Sequence, residues 1–154
     1  MPWRTATPLD AAAVRALLMN PSVMRLTTLP SLGEGDAAAI AIRAVSLDAA
    51  LVFEDGGVHG WIGGIPIGPF CEVSGLLDVA WYGVLQSVTI GRAGVRALNP
   101  LLVGVPIAVV NPSNTFAMRC LYGSGILIGK TDTASVIALA TEGLSAWQKT
   151  PSPP

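Results

Sequence analysis

The chain has 154 residues, a length that suits one domain with a substantial hydrophobic core. Its formal net charge of −1 provides no basic field, so we expect neither nucleic acid nor a membrane surface as a partner. Only 12% of the residues are charged, against about 25% in a typical soluble domain. This predicts apolar surface outside the core and favours a homo-oligomer or a component of a larger assembly. Alternatively, the many small residues lower the charged fraction without creating an adhesive surface.

The longest segment without charge, between Arg96 and Arg119, contains three prolines and does not predict a membrane-spanning helix, which needs about 20 apolar residues. The N-terminal MPWRTATPLD lacks the apolar core of a signal peptide. Two cysteines, Cys71 and Cys120, are too few for a disulfide framework or a metal cluster. We therefore expect synthesis in the cytoplasm and no bound metal.

The first predicted elements are a short strand and a capped helix within residues 3–18. Thr7 suits the N-cap, Pro8 the first helical position, and Asp10 stands three residues after the cap, as in a capping box. The apolar face of this helix is formed by Val14, Leu17 and Leu18. A loop or broken helix follows, and then a second helix over about 36–45.

The middle of the chain predicts three strands and a helix. Leu51–Phe53, a turn at Asp55-Gly56 and a glycine-rich strand form a hairpin. The apolar run over 75–88, GLLDVAWYGVLQSV, predicts a long third strand. A helix over 89–102 follows and ends or kinks at Asn99-Pro100.

The last part of the chain predicts a strand, a helix and a hairpin. Residues 103–110 form a buried strand, Ser113 or Asn114 caps the helix, and 126–141 form the hairpin. This order predicts one α+β (mixed α/β) domain over 1–147. Residues 148–154 form a proline-rich tail.

Two segments resemble the GNAT (GCN5-related N-acetyltransferase) superfamily. RTATPLDAAAVRALL is similar to the family's first strand and helix, which often have an Arg-x-Ala-x-x-x-Asp pattern. Asn114, Ala117 and Gly125 stand where members carry an Asn after the fifth strand, a small residue and a Gly. The resemblance implies a central, mostly antiparallel, twisted sheet of about six to seven strands, flanked by about four helices.

The segment from Asn114 to Gly125 is also similar to short GNAT-like proteins encoded among the structural genes of tailed bacteriophages, which often have Asn-Thr-x-x-Ile-Arg-x-Leu-x-x-x-Gly here. Several of these resemble acyltransferases that have lost their chemistry, and some are associated with virion assembly. This likeness implies other virion proteins as partners, and a location in the host cytoplasm or the virion.

Active members hold the coenzyme A pyrophosphate at backbone N–H groups where the third helix begins, in an Arg/Gln-x-x-Gly-x-Gly/Ala segment. Gln86 would begin that segment, but 87–89 lack its glycine. Residues 91–94, Gly-Arg-Ala-Gly, offer a substitute nest in which Arg92 or Arg96 would pair with phosphate. The alternative is an ordinary helix start with solvated arginines. The cofactor-binding residues that the resemblance implies are Gln86, Gly91, Arg92, Ala93 and Asn114.

The catalytic candidates are Tyr122 and Asp78. Active members commonly keep a Tyr as general acid seven residues after the Asn, where this chain has Leu121. Tyr122 is about 100° further round the helix and serves only if that helix is rotated; otherwise it packs its ring on the sheet. Asp78 and Glu72 flank the start of the predicted strand over 75–88, the fourth in the chain. Asp78 is a candidate base, unless it is a strand-end residue facing water. The lone His59 suggests a structural role.

These features leave three hypotheses for function. The first is a catalytically degenerate GNAT-like phage protein that acts in virion assembly without a cofactor. The alternative is an active acyl-CoA-dependent N-acyltransferase that uses acetyl-CoA through an atypical pyrophosphate loop, and the third is a binding module without chemistry. An enzyme predicts an open cleft between the strands ending near Gln86 and starting near Val105. An assembly protein predicts that side chains fill this cleft.

Overall fold

A single seven-stranded sheet forms the centre of the computed structural model, which describes residues 2–24, 27, 32–110, 114–121, 125–131 and 134–139. The strand order in the sheet is β1-β2-β3-β4-β5-β7-β6. The strands are β1 (Trp3–Thr5), β2 (Ala50–Glu54), β3 (Val58–Ile67), β4 (Phe70–Leu77), β5 (Val105–Val110), β6 (Gly125–Lys130) and β7 (Ser135–Leu139). All pairings are antiparallel except that of β4 with β5. The predicted α+β class with a mostly antiparallel sheet is confirmed.

Helices cover both faces of the sheet. They are α1 (Ala11–Leu18), α2 (Pro21–Met24), α3 (Glu34–Val45), α4 (Val79–Tyr82), α5 (Val84–Leu98) and α6 (Thr115–Leu121). Val14 of α1 and Ala41 of α3 pack with Trp61 and Leu76 on one face, which we call the α1/α3 face. Helices α5 and α6 cover the other face, the α5/α6 face. In the described residues none of the helices is long and apolar enough to span a membrane.

The Arg-x-Ala-x-x-x-Asp segment builds the junction of β1 and α1. Arg4 donates from both terminal nitrogens to the Asp10 carboxylate, each at 2.9 Å, and also pairs with Glu54. The Asp10 Oδ2 accepts the Thr7 backbone N–H at 2.8 Å, so the predicted capping box is present. The Arg4 guanidinium holds the pKa of Asp10 below its usual range. This motif therefore serves the fold rather than the chemistry.

The predicted strand over 75–88 is wrong. Strand β4 ends at Leu77, Asp78 caps α4, and α5 begins at Val84 and runs to Leu98. The sequence of this segment resembles a buried strand because large apolar side chains on α4 and α5 remain exposed. They are Trp81, Val84 and Leu85. The helix predicted over 89–102 is α5, which begins five residues earlier, at Val84. The described residues hold six α-helices instead of about four because α4 replaces part of the predicted strand and α2 forms in the segment predicted as a loop or broken helix.

The sheet is split between β4 and β5. Strand β4 pairs with β3 over eight residues, but with β5 only at Phe70–Glu72, opposite Val105–Ile107. Beyond Glu72 the two parallel strands diverge. The predicted C-terminal hairpin is present, with β7 inserted between β5 and β6. The predicted tail at 148–154 lies outside the described residues.

Candidate functional site

The site is an open cleft where β4 and β5 diverge. It has a volume of about 490 Å³, within the range of about 300–1,000 Å³ typical of small-molecule pockets. Residues of β4 from Glu72 to Leu77 line it on one side, and Ala108, Val109 and Val110 of β5 line it on the other. Because residues of α1 and α3 as well as of α5 and α6 contribute to its walls, the cleft passes through the sheet.

Polar side chains enter the cleft on the α1/α3 face. Leu76 packs into the core of this face, so Ser74 and Glu72, two and four residues earlier on the same unbroken strand, share its orientation. Both side chains are partly buried and line the cleft, as does Arg43 from the last turn of α3. The rest of this wall is largely apolar, and includes the buried Trp61.

The wall on the α5/α6 face is closely packed. A Cβ on Gly91 would lie 2.6 Å from the Cys120 Sγ, so glycine is required where α5 and α6 meet. Burial raises the pKa of the Cys120 thiol to about 11, which keeps it protonated at neutral pH. Cys120 is the small core residue that its helical position indicated, and its side of the cleft is neutral and apolar.

Asn114 lines the cleft and caps α6. Its Oδ1 accepts the backbone N–H of Ala117 at 3.0 Å, which confirms one of the two predicted caps. Ala117 and the buried Leu121 of the same helix also line the cleft. The Asn-x-x-Ala spacing thus has a local structural basis.

The anion-binding nest predicted at 91–94 is wrong as a local structure. These residues lie in the middle of α5, where backbone N–H groups bond within the helix. The Arg92 guanidinium donates to the Arg119 carbonyl at 3.0 and 3.2 Å, which ties α5 to the last turn of α6. Ala93 is buried, and only Gly91 of this segment lines the cleft.

The N-terminus of α5 is instead at Gly83, whose φ of 78° favours glycine. Gly83 was not recognised in the sequence because the surrounding apolar run obscured it. The pattern that indicates it is Asp78-x-x-Trp81-x-Gly83, in which Asp78 caps the start of a short helix and Gly83 ends it. Gln86 lies in the first turn of α5 and is exposed.

Asp78 and His59 belong to an aromatic cluster beside the end of β4. The Asp78 carboxylate accepts the Trp81 backbone N–H at 3.3 Å, so Asp78 is a strand-end helix cap. The His59 ring stacks on Trp81, with centroids 4.8 Å apart, and meets Tyr82 edge-on. Burial, with the charges of Asp55 and Asp78, raises the pKa of Tyr82 to about 12. Neither Asp78 nor His59 lines the cleft.

The structure therefore brings together part of the predicted set. Gly91 and Asn114 line the cleft, whereas Gln86, Arg92, Ala93 and Asp78 do not. Tyr122 lies outside the described residues. Glu72 is at the cleft, and Arg43 joins it although the sequence offered no local signal for it, since its position depends on how α3 packs on the sheet. Within the described ranges no three His, Cys, Asp or Glu side chains are grouped to hold a metal ion.

No protein-family profile matches the sequence, and no curated protein is similar to it. Solved structures of acetyltransferases share its fold. A GNAT-family acetyltransferase from Streptococcus pneumoniae has a TM-score of 0.64 at 14% identity, over 88% of this chain and 95% of its own. A GNAT-family acetyltransferase from Bacillus anthracis has a TM-score of 0.62 at 14% identity, over 89% and 92%.

The aminoglycoside acetyltransferase AAC(6')-Ib in complex with coenzyme A and kanamycin has a TM-score of 0.66 at 16% identity, over 96% of this chain and 98% of its own. At these identities the likeness establishes a GNAT-like fold for the chain.

Proposed function

We propose that this chain is an acyl-CoA-dependent N-acyltransferase. The observation that carries the proposal is the cleft, which is open and passes through the sheet between β4 and β5. An open cleft is the outcome expected of an enzyme, whereas an assembly protein was expected to fill it. The structural neighbour in complex with coenzyme A and kanamycin has the same fold and makes coenzyme A a reasonable ligand.

The start of α5 offers an anion-binding group for the pyrophosphate. The first N–H groups of a helix have no acceptor within it, and the helix dipole favours negative charge there. Val84, Leu85 and Gln86 supply these N–H groups, after the short α4 that follows β4 in the chain. Relative to the family segment Arg/Gln-x-x-Gly-x-Gly/Ala, Gly83 takes the first glycine position, with Ala80 and Leu85 at the others. The loop is therefore atypical but retains the glycine at the helix start.

The neutral wall on the α5/α6 face suits the uncharged arm of coenzyme A. Ala108, Ala117 and Gly91 are small and keep the cleft open beside the buried Cys120. When bound, acetyl-CoA supplies an acyl group activated as a thioester.

Glu72 is the residue best placed to take a proton from the acceptor amine. It stands at the last β4–β5 pair, where the strands begin to diverge, and lines the cleft on the α1/α3 face. A carboxylate there accepts one proton from the ammonium form and leaves the nitrogen lone pair free to react. The resemblance places the proton donor for the departing thiolate at position 121, where this chain has Leu121. The neighbouring Tyr122 stays the predicted candidate for this role.

A role in phage assembly is the second candidate, and exposed apolar side chains favour it. Trp81 is 67% and Leu85 82% exposed, beside Val84 at the start of α5. Such a group can serve as a contact for another protein. This proposal requires that the cleft bind no acyl-CoA.

Calorimetric titration with acetyl-CoA tests the two candidates. Saturable binding in the micromolar range, competed by free coenzyme A, is expected of the enzyme. A folded sample that binds neither compound would overturn the enzyme proposal and leave the assembly role. The native mass, measured at high dilution on the same sample, tests the predicted oligomer separately.

A further inference from the structure

The part of the cleft on the α1/α3 face is bordered mainly by apolar side chains. They come from Leu18 of α1, Ile40 of α3, Leu47 just after α3, and Trp61 and Ile65 of β3. Such a surface binds an apolar group by removing it from water. We call this space the acceptor chamber.

Two opposite charges border the acceptor chamber. Glu72 reaches it from β4, and Arg43 from the last turn of α3. In the part of the chain that the structure describes, neither forms an ion pair, with the other or with any third residue. The ion pairs that the described residues do form lie outside this chamber. They join Arg4 to Asp10 and Glu54, and Arg15 to Glu34.

An unpaired carboxylate and an unpaired guanidinium on one apolar chamber match a ligand that carries both charges and an apolar group. Guanidinium binds carboxylate through two parallel hydrogen bonds, and a carboxylate binds ammonium. A simple amine would leave Arg43 without a partner, and a fatty acid would leave Glu72 without one.

We propose that the acyl acceptor is a small apolar α-amino acid. Its carboxylate binds Arg43, its ammonium group faces Glu72, and its side chain lies among Leu18, Ile40, Leu47 and Trp61. This inference rests on the proposed acyltransferase function, because it assigns to Glu72 the amine that it deprotonates. It adds the chemical class of the acceptor and a specificity-determining residue, Arg43.

The test compares leucine with two analogues that each lack one charge, leucinamide and 4-methylpentanoate. Each compound is titrated calorimetrically into the whole protein, with and without saturating coenzyme A. Leucine is expected to bind at least about 10-fold more tightly than either analogue, because each analogue leaves one charged group of the chamber unpaired.

Arg43→Gln is expected to weaken leucine binding about 10- to 100-fold and to leave leucinamide binding unchanged. Arg43→Lys is expected to restore most of the loss. Arg15→Gln, at an exposed position of α1 that does not line the cleft, is the matched control and should change nothing. Since Arg43 is itself exposed, its variants are expected to fold.

Equal affinity for leucine and leucinamide, or an equal effect of Arg43→Gln on both, would overturn the inference. So would the absence of leucine binding under both conditions. Coenzyme A binding without a preference for leucine overturns this inference alone. Absence of coenzyme A binding overturns the proposed function, and the leucine titration on the same sample then still decides whether the chamber binds a zwitterion.

Discussion

The two halves of the sheet differ in size and meet at a narrow contact. The N-terminal half, β1 to β4, is paired continuously, and β3 and β4 alone share eight residue pairs. The C-terminal half, β5 to β7, is a smaller antiparallel unit that meets β4 at only three pairs. Among the described strands, the sheet opens to a ligand at the seam between the two halves.

Helix α5 holds the halves together without closing this seam. Its Leu98 packs with Leu51 and Ile62 of the N-terminal half. Toward the C-terminal half, Gly91 meets Cys120 and Arg92 binds the Arg119 carbonyl. Under the proposed function, chemistry would be concentrated at the seam and stability in the N-terminal half, and the following changes test that division.

The largest effect is expected at the seam, from Glu72→Gln. Loss of the base should lower the rate of acetyl transfer by about 100- to 10,000-fold without changing the affinity for coenzyme A. The rate of thiol release from acetyl-CoA with leucine as acceptor measures it. Asp78→Asn keeps the α4 cap and lies outside the cleft, so it should stay within a few-fold of the unchanged protein. Equal losses in both variants would contradict the assignment of Glu72.

Filling the seam should abolish most ligand binding while sparing the fold. Ala117→Phe places a ring in the cleft and is expected to weaken coenzyme A binding about 10- to 100-fold in calorimetry. Its cost in the free energy of unfolding should not exceed about 3 kcal/mol. Ala97→Phe, at an exposed position of α5, is the matched control. Unchanged affinity in Ala117→Phe would place the ligand elsewhere.

In the N-terminal half, Asp10→Ala should lower the free energy of unfolding by about 1–3 kcal/mol. It removes the cap at Thr7 and the partner of Arg4 from a buried position. Asp36→Ala, an exposed acidic residue at the start of α3, is expected to cost less than about 1 kcal/mol. Coenzyme A affinity should be unchanged in both. Denaturant unfolding measures the stabilities.

The contribution of Asp10 should also depend on pH. Its pKa is lower in the folded chain than the usual 3.8, so its stabilisation is fully present above that value. It declines as the pH falls below it and vanishes below the folded pKa. The difference in unfolding free energy between the unchanged protein and Asp10→Asn is therefore expected to be constant from pH 7 to about pH 5 and to shrink toward pH 3. A difference that grows in acid would contradict the Arg4–Asp10 pairing.

The smallest effect is expected at the start of α5. Leu85→Ala removes an exposed side chain from the first turn and should tighten coenzyme A binding about threefold, because the N–H groups of that turn become easier to approach. Leu101→Ala, an exposed leucine after α5, is the control. Weaker binding in Leu85→Ala would show instead that the leucine contacts the ligand.

Patterns with local causes were predictable. The capping box at Thr7 and Asp10 and the cap at Asn114 are interactions within a few residues, and both are present. The hairpin of β2 and β3 also followed from its turn, where Gly56 has a φ of 64°. The strand prediction for 75–88 was wrong because apolar side chains are buried on average but not at every position. Trp81, Val84 and Leu85 are exposed, and their presence concealed the helical spacing of α5.

By itself the sequence determined the α+β class, the β1–α1 junction and the turn and cap chemistry, because each depends on residues close together in the chain. Tertiary structure alone decided that β4 leaves β5 after three pairs and that Glu72 and Arg43 border one chamber. Those two residues are separated by β2 and β3 in the chain, and their meeting depends on the packing of α3 against the sheet. A site assembled across a seam leaves little trace in local sequence, because no single segment contains it.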